Sequence, residues 1–151
     1  MSTKILIPVF AIVLVVIMGV YFLVNPSYKQ SIKAKYYFEI GEYNEAYSHA
    51  KVAFGLDLYN RMAATVMAQS QISLRYVRYI DMGKKYMAEI DKIANSEKIE
   101  NSDKAKIRLI CEIMKSDYIK LAPSVITDKD LVQEAAKYHS YFETLLEKVN
   151  K

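Results

Sequence analysis

Residues 5–24, ILIPVFAIVLVVIMGVYFLV, carry no charge. No other feature of the chain restricts its fold as much. In a helix rising about 1.5 Å per residue, about 20 residues reach roughly 30 Å, the thickness of the hydrocarbon core of a bilayer. The run therefore predicts a transmembrane anchor, with Ile5, Val9, Val13, Val16, Val20, Tyr21, Phe22 and Val24 among its lipid-facing residues. Pro8 and Gly19 are both tolerated in such a helix. Tyr21 and Phe22 stand where aromatic rings reach headgroup depth. Asn25-Pro26 ends the helix, because proline donates no backbone hydrogen and restricts the residue before it. Residues 1–4 then form a short tail, and residues 25–151 form a helical body.

The rival reading is a cleaved secretory signal. The apolar run is longer than a signal core, and no small-x-small cleavage site follows it. Orientation is balanced. Lys4 precedes the run, and Lys29, Lys33 and Lys35 follow it, which favours a cytoplasmic body. A short charged tail before a long apolar run also resembles an uncleaved signal anchor, which sends the body across the membrane.

The body is about one domain in size. Glycine (4) and proline (3) are too scarce for hairpin-rich β architecture. Lysine outnumbers arginine 17 to 4, which disfavours dedicated nucleic-acid readout. One cysteine, Cys111, excludes an internal disulfide.

Five helical segments are expected in the body, and the fold class is all-α. The first spans residues 28–39 and ends at Gly41, and the second spans 43–55. The third spans 60–94, with a possible break between Leu74 and Gly83. The fourth spans 103–121 with the apolar stripe Ile107, Ile110, Cys111, Met114, Tyr118 and Leu121. The fifth is capped by Thr127, with Asp130 three residues on, and its stripe is Leu131, Ala135, Tyr138, Phe142, Leu145 and Val149.

Residues 37–46, YFEIGEYNEA, followed by Ala50, Ala53, Leu56 and Asp57, resemble the centre of a tetratricopeptide repeat. Gly41 would allow the tight turn, and Ala46 and Ala53 would allow close helix approach. The resemblance covers about residues 28–60 and fades after Arg61. It implies a helical-hairpin stack whose inner surface grips a peptide from another protein. Ser31, Ile32, Lys35, Phe38 and Glu39 would line that surface from the first helix. Thr65, Val66, Gln69 and Ile72 would extend it from the third. For Ile32, Phe38 and Ile72 a plain core role is the competing assignment.

Little chemistry is legible. His49 and His139 have no metal-ligand partners at a suitable spacing. Cys111 lies on an apolar stripe, and a nucleophilic role would need a base brought near by folding. Glu42 and Glu45 read as a solvated face. Residues 75–86 interleave basic residues with tyrosines. On a helix, Arg75, Arg78 and Lys85 separate outward from Tyr76, Tyr79, Ile80, Tyr86 and Met87, which describes an amphipathic helix better than a nucleic-acid site.

The expectation is a membrane-anchored scaffold or adaptor without catalytic residues, cofactor, metal, nucleic-acid ligand or small-molecule substrate. Its partners would be the lipid bilayer and other proteins of a membrane assembly. In general character the chain is similar to small anchored periplasmic structural proteins of bacterial flagellar motors. That resemblance implies an inner-membrane protein with a periplasmic body. The alternatives are a cytoplasm-facing adaptor and a hydrolase built on Cys111 or His49.

Overall fold

A computed structural model of the chain describes residues 3–96 and 98–150, with the side chains of residues 3–6 and 23 outside that description. The expected anchor residue Ile5 therefore lies outside the described side chains. Six helices occur in order: α1 (Thr3–Val24), α2 (Pro26–Glu39), α3 (Tyr43–Leu56), α4 (Arg61–Ala94), α5 (Asn101–Ile119) and α6 (Lys129–Val149). No strand occurs among the described residues, so the all-α class expected from the sequence holds. The chain forms two compact units, Met1–Ser70 and Gln71–Lys151. The division falls inside α4.

In the first unit, α1 is apolar on every side, and each of its described side chains is exposed. Asn25 separates it from α2 and caps the new helix, its Oδ1 accepting from the Ser27 N–H at 2.9 Å. Pro26 occupies the first helical position, where a missing donor costs nothing. Among the described residues no single helix is long and apolar enough to cross a membrane. The pair Ile7–Phe22 and Pro26–Glu39, bent by 76°, meets that test together.

Helices α2 and α3 form an antiparallel hairpin. Its closed end is Gly41, at φ +83°, a conformation that glycine adopts without steric cost. The Gly41 N–H donates to Phe38 O at 3.1 Å and the Glu42 N–H to Tyr37 O at 2.9 Å. This pair of bonds is the Schellman termination of a helix. At the open end Ser27 Oγ donates to Ala53 O at 2.9 Å. The helices approach through small residues: Ala34, Ala46, Ala50 and Ala53 are fully buried, and Val66 of α4 closes the cluster with Tyr37, Phe38 and Met67.

The second unit has its own core. Tyr76, Tyr79, Ile80 and Ile90 of α4 meet Ile107, Ile110, Cys111 and Met114 of α5 and Ala135 and Phe142 of α6. Both expected apolar stripes face this core. The expected division of residues 75–86 also holds: Tyr76, Tyr79 and Ile80 are buried, whereas Arg75, Arg78 and Lys85 are exposed.

Two local expectations are corrected. α4 has no break between Leu74 and Gly83. It stays helical through Gly83, which is buried because the Tyr138 ring of α6 rests on it. A Cβ there would lie 2.8 Å from Tyr138 Cδ1. The cap of α6 is Asp128, whose Oδ1 accepts from the Asp130 N–H at 2.9 Å. Thr127 is instead buried, its Oγ1 accepting from the Ser124 N–H at 2.8 Å in the preceding turn.

Three ion pairs lace the second unit's helices together: Lys84–Glu134 at 3.2 Å (α4–α6), Lys106–Glu89 at 2.6 Å (α5–α4) and Lys115–Glu143 at 3.4 Å (α5–α6). Hydrogen bonding to Glu134 raises the pKa of Lys84. The bond from Lys106 lowers that of Glu89, and the same bond raises that of Lys106.

Candidate functional site

The residues expected to line an inner groove fall into different environments. Ser31 is fully buried; its hydroxyl donates to Tyr28 O at 3.0 Å and accepts from Asn60 Nδ2 at 3.2 Å. Phe38 is half-buried, packing on the alanine cluster and lying 5.5 Å from the Tyr43 ring, centroid to centroid. Lys35 and Glu39 pair with each other at 3.4 Å on the exposed surface. Ile32 and Thr65 are exposed, and Gln69 is half-buried. Val66 is buried in the first unit's core. Ile72 packs against the core of the second unit.

Of the expected anchor residues, Val9, Val13, Val16, Val20, Tyr21, Phe22 and Val24 are all exposed along α1. At its end, Phe22 meets Tyr28 edge-on at 4.7 Å, Tyr21 lies 6.3 Å from the same ring, and Asn25 Nδ2 donates to Tyr21 Oη at 3.2 Å. These contacts tie the last turn of α1 to the first turn of α2.

The sequence reading missed a polar network in the first unit. Asn60, itself buried, donates through Nδ2 to Ser27 Oγ at 2.9 Å and to Ser31 Oγ, and its Oδ1 accepts from the Ala63 N–H at 3.1 Å. One side chain thus caps α4 and ties it to α2. The available signal was the position of Asn60 immediately before a helical run.

Both histidines are held by ring stacking. His49 Nδ1 donates to Gln30 Oε1 at 2.7 Å, and its ring stacks on Tyr37 at 5.2 Å. His139 stacks on Tyr118 at 4.0 Å, with Nε2 3.5 Å from Glu143 Oε2. Tyr118 in turn lies 5.7 Å from Tyr79, whose buried hydroxyl has no partner. Burial, reinforced by Tyr118, Asp117 and Glu143, pushes the Tyr79 phenol far above its ordinary value. Cys111 is fully buried, and burial, with Glu112 adding to it, pushes its thiol up to about 11. A nucleophilic cysteine needs the opposite shift. No group of three or more metal-ligating side chains occurs among the described residues.

The second unit offers an open groove of about 460 Å³ lined by Arg75, Arg78, Tyr79, Met82, Asp117, Lys120 and Leu121. The lining combines Tyr79, Met82 and Leu121 with the charged Arg75, Arg78, Lys120 and Asp117. Lys120 is neutralised by Asp117 at 2.7 Å. The Arg78 Nε–H donates only to its own helix, to Leu74 O at 3.2 Å. Neither Arg75 nor Arg78 has an acidic partner among the described residues, so two guanidinium groups remain available to a carboxylate-bearing ligand.

No family model, curated protein or solved structure matches this chain.

Proposed function

We propose that the chain is a membrane-anchored helical adaptor: α1 sits in lipid and the helical body holds another polypeptide. One observation carries this reading. Every described side chain of α1 is exposed, and nearly all are apolar. In water such a helix would leave a large apolar surface bare, whereas a bilayer covers it on all sides. Read from the sequence, the charge-free run of residues 5–24 reaches about 30 Å at about 1.5 Å per residue, the depth of a hydrocarbon core. Anchoring raises the local concentration of a partner without any new contact.

The groove bounded by Arg75 and Arg78 suits an acidic segment that also inserts an apolar side chain. The guanidinium groups of Arg75 and Arg78 select such a segment by charge, and the apolar part of the lining adds burial. We place the body on the periplasmic side of an inner membrane, as a structural part of a cell-envelope machine such as a flagellar motor. Proteolysis of intact spheroplasts separates this from a cytoplasm-facing adaptor, since only a periplasmic body is cut.

The adaptor reading is tested by photo-crosslinking from Leu121 in native membranes. A discrete polypeptide adduct, lost on Arg75→Glu/Arg78→Glu, is expected. Failure of Leu121 to crosslink any polypeptide, or an adduct indifferent to both charge reversals, contradicts the groove as partner site.

A further inference from the structure

We propose that the outer face of α2 is a second lipid contact, resting on the bilayer surface beside the anchor. The inference depends on α1 lying in the membrane. It adds the position of the hairpin and the residues that hold it there.

The buried side of α2 carries Ser27, Ser31 and Ala34. On the opposite side Ile32 and Tyr36, and Ile40 at the C-cap just beyond the helix, follow one another at intervals of four residues, with exposures of 50%, 61% and 53%. Side chains so spaced stack along one face of a helix. Here they face away from the hairpin. Exposed Lys29 and Lys33 flank this stripe, and neither has an acidic partner among the described residues. Large apolar and aromatic side chains flanked by lysines form the composition of a helix lying in a membrane interface.

The geometry of the bend names the occupant. α2 departs from α1 at 76°, so a helix following a membrane-crossing α1 runs nearly along the surface. Phe22 and Tyr21 both touch Tyr28, which places Tyr28 on the inner side of the bend. Ile32 lies one turn beyond Tyr28 on that same side. The inner side of such a bend is the side that meets the bilayer. The stripe thus continues the apolar surface of α1, which makes lipid its occupant. From Tyr28 to Ile40 the contact extends about 18 Å. Tyr36 sits at headgroup depth, and Lys29 and Lys33 meet anionic headgroups.

The chain has no tryptophan, so one introduced indole reports its own surroundings. The full chain is reconstituted in phosphatidylcholine–phosphatidylglycerol vesicles containing acyl-brominated lipid, with Tyr21→Trp or Tyr36→Trp as the only indole. Both are expected to be quenched by bromine. Combining Tyr36→Trp with Lys29→Glu/Lys33→Glu is expected to cut its quenching by about twofold or more while Tyr21→Trp stays unchanged. A quenched Tyr21→Trp beside an unquenched, water-like Tyr36→Trp overturns the inference and leaves the anchor standing. Absence of quenching at both positions overturns the anchor and the inference together.

Discussion

Asn60 and Ser27, 33 residues apart in the chain, share a fully buried 2.9 Å hydrogen bond between Nδ2 and Oγ. The same serine donates to Ala53 O, and the same asparagine caps α4 through the Ala63 N–H. Two short side chains therefore join the beginnings of α2 and α4 to the end of α3. Every donor in the set has an acceptor, which is the condition under which a buried polar network specifies an arrangement instead of weakening it.

Asn60→Ala removes the cap and two buried donations together. A loss of about 2–4 kcal/mol is expected, combining a cap of about 1 kcal/mol with the cost of a buried group left unpaired. Asn60→Asp keeps an oxygen for the Ala63 N–H but loses the donations to Ser27 and Ser31 and puts a carboxyl with no cationic partner in a buried site, so at neutral pH it should be at least as destabilised as Asn60→Ala. Denaturant unfolding of the full chain in detergent, followed by helical circular dichroism, measures both. Equal stability of all three proteins would contradict the network's role.

Gly83→Ala would stabilise an ordinary helix interior by about 1 kcal/mol. Here it should destabilise by about 1–3 kcal/mol, because the new Cβ meets the root of the Tyr138 ring, which has no flexible end to swing away. Tyr138→Ala alone leaves a gap, and adding Gly83→Ala to it should then cost little or nothing. A double-mutant cycle reads this coupling directly. Gly83→Ala that is neutral in wild type would mean the contact is looser than described.

Gly41→Val is expected to cost about 2 kcal/mol or more, since a β-branched residue is strained at φ +83° and the Schellman bonds depend on that conformation. Gly55→Ala, in α3 with open space around its Cβ position, serves as the matched control and should be neutral or stabilising.

Glu89 titrates below its ordinary value because Lys106 donates to it. A carboxyl with a depressed folded-state pKa contributes stability that is present above its unfolded pKa and is lost as pH falls through the folded one. The stability difference between wild type and Glu89→Gln should therefore be present at neutral pH and vanish in acid. A difference that is constant from neutral pH to acid would exclude the pair as its source.

The Cys111 thiol, pushed up to about 11 from an ordinary 9.0, should hold about 100-fold less thiolate than an exposed cysteine at the same mildly alkaline pH. Burial slows its access further. Thiol titration with a disulfide reagent should show native protein reacting far more slowly than denatured protein, and Cys111→Ser should leave partner capture intact.

Much of this architecture is written in local signals. Gly41 is legible because few other residues tolerate its backbone conformation, and Asn25-Pro26 because one residue caps while the next can only begin a helix. The tyrosines and arginines of residues 75–86 separate by helical periodicity alone. What escaped reading is long-range. Nothing near Gly83 announces that Tyr138, on another helix, will cover it. Ser31 resembles a groove residue until Asn60 is known to reach it across the hairpin. The division between the two units has no linker composition to mark it, because it falls inside the unbroken periodicity of α4. At α6 two good caps stand side by side, and the choice of Asp128 over Thr127 follows from the turn at Ser124 that occupies the threonine hydroxyl.

The most direct test of the bilayer as the solvent of α1 is alkaline carbonate extraction of membranes from cells producing the full chain, followed by flotation. The protein is expected to stay with the lipid, and replacing Val13 and Val16 of α1 with lysine should release it. Recovery of the unaltered chain in the carbonate supernatant would contradict the anchor and the adaptor function built on it.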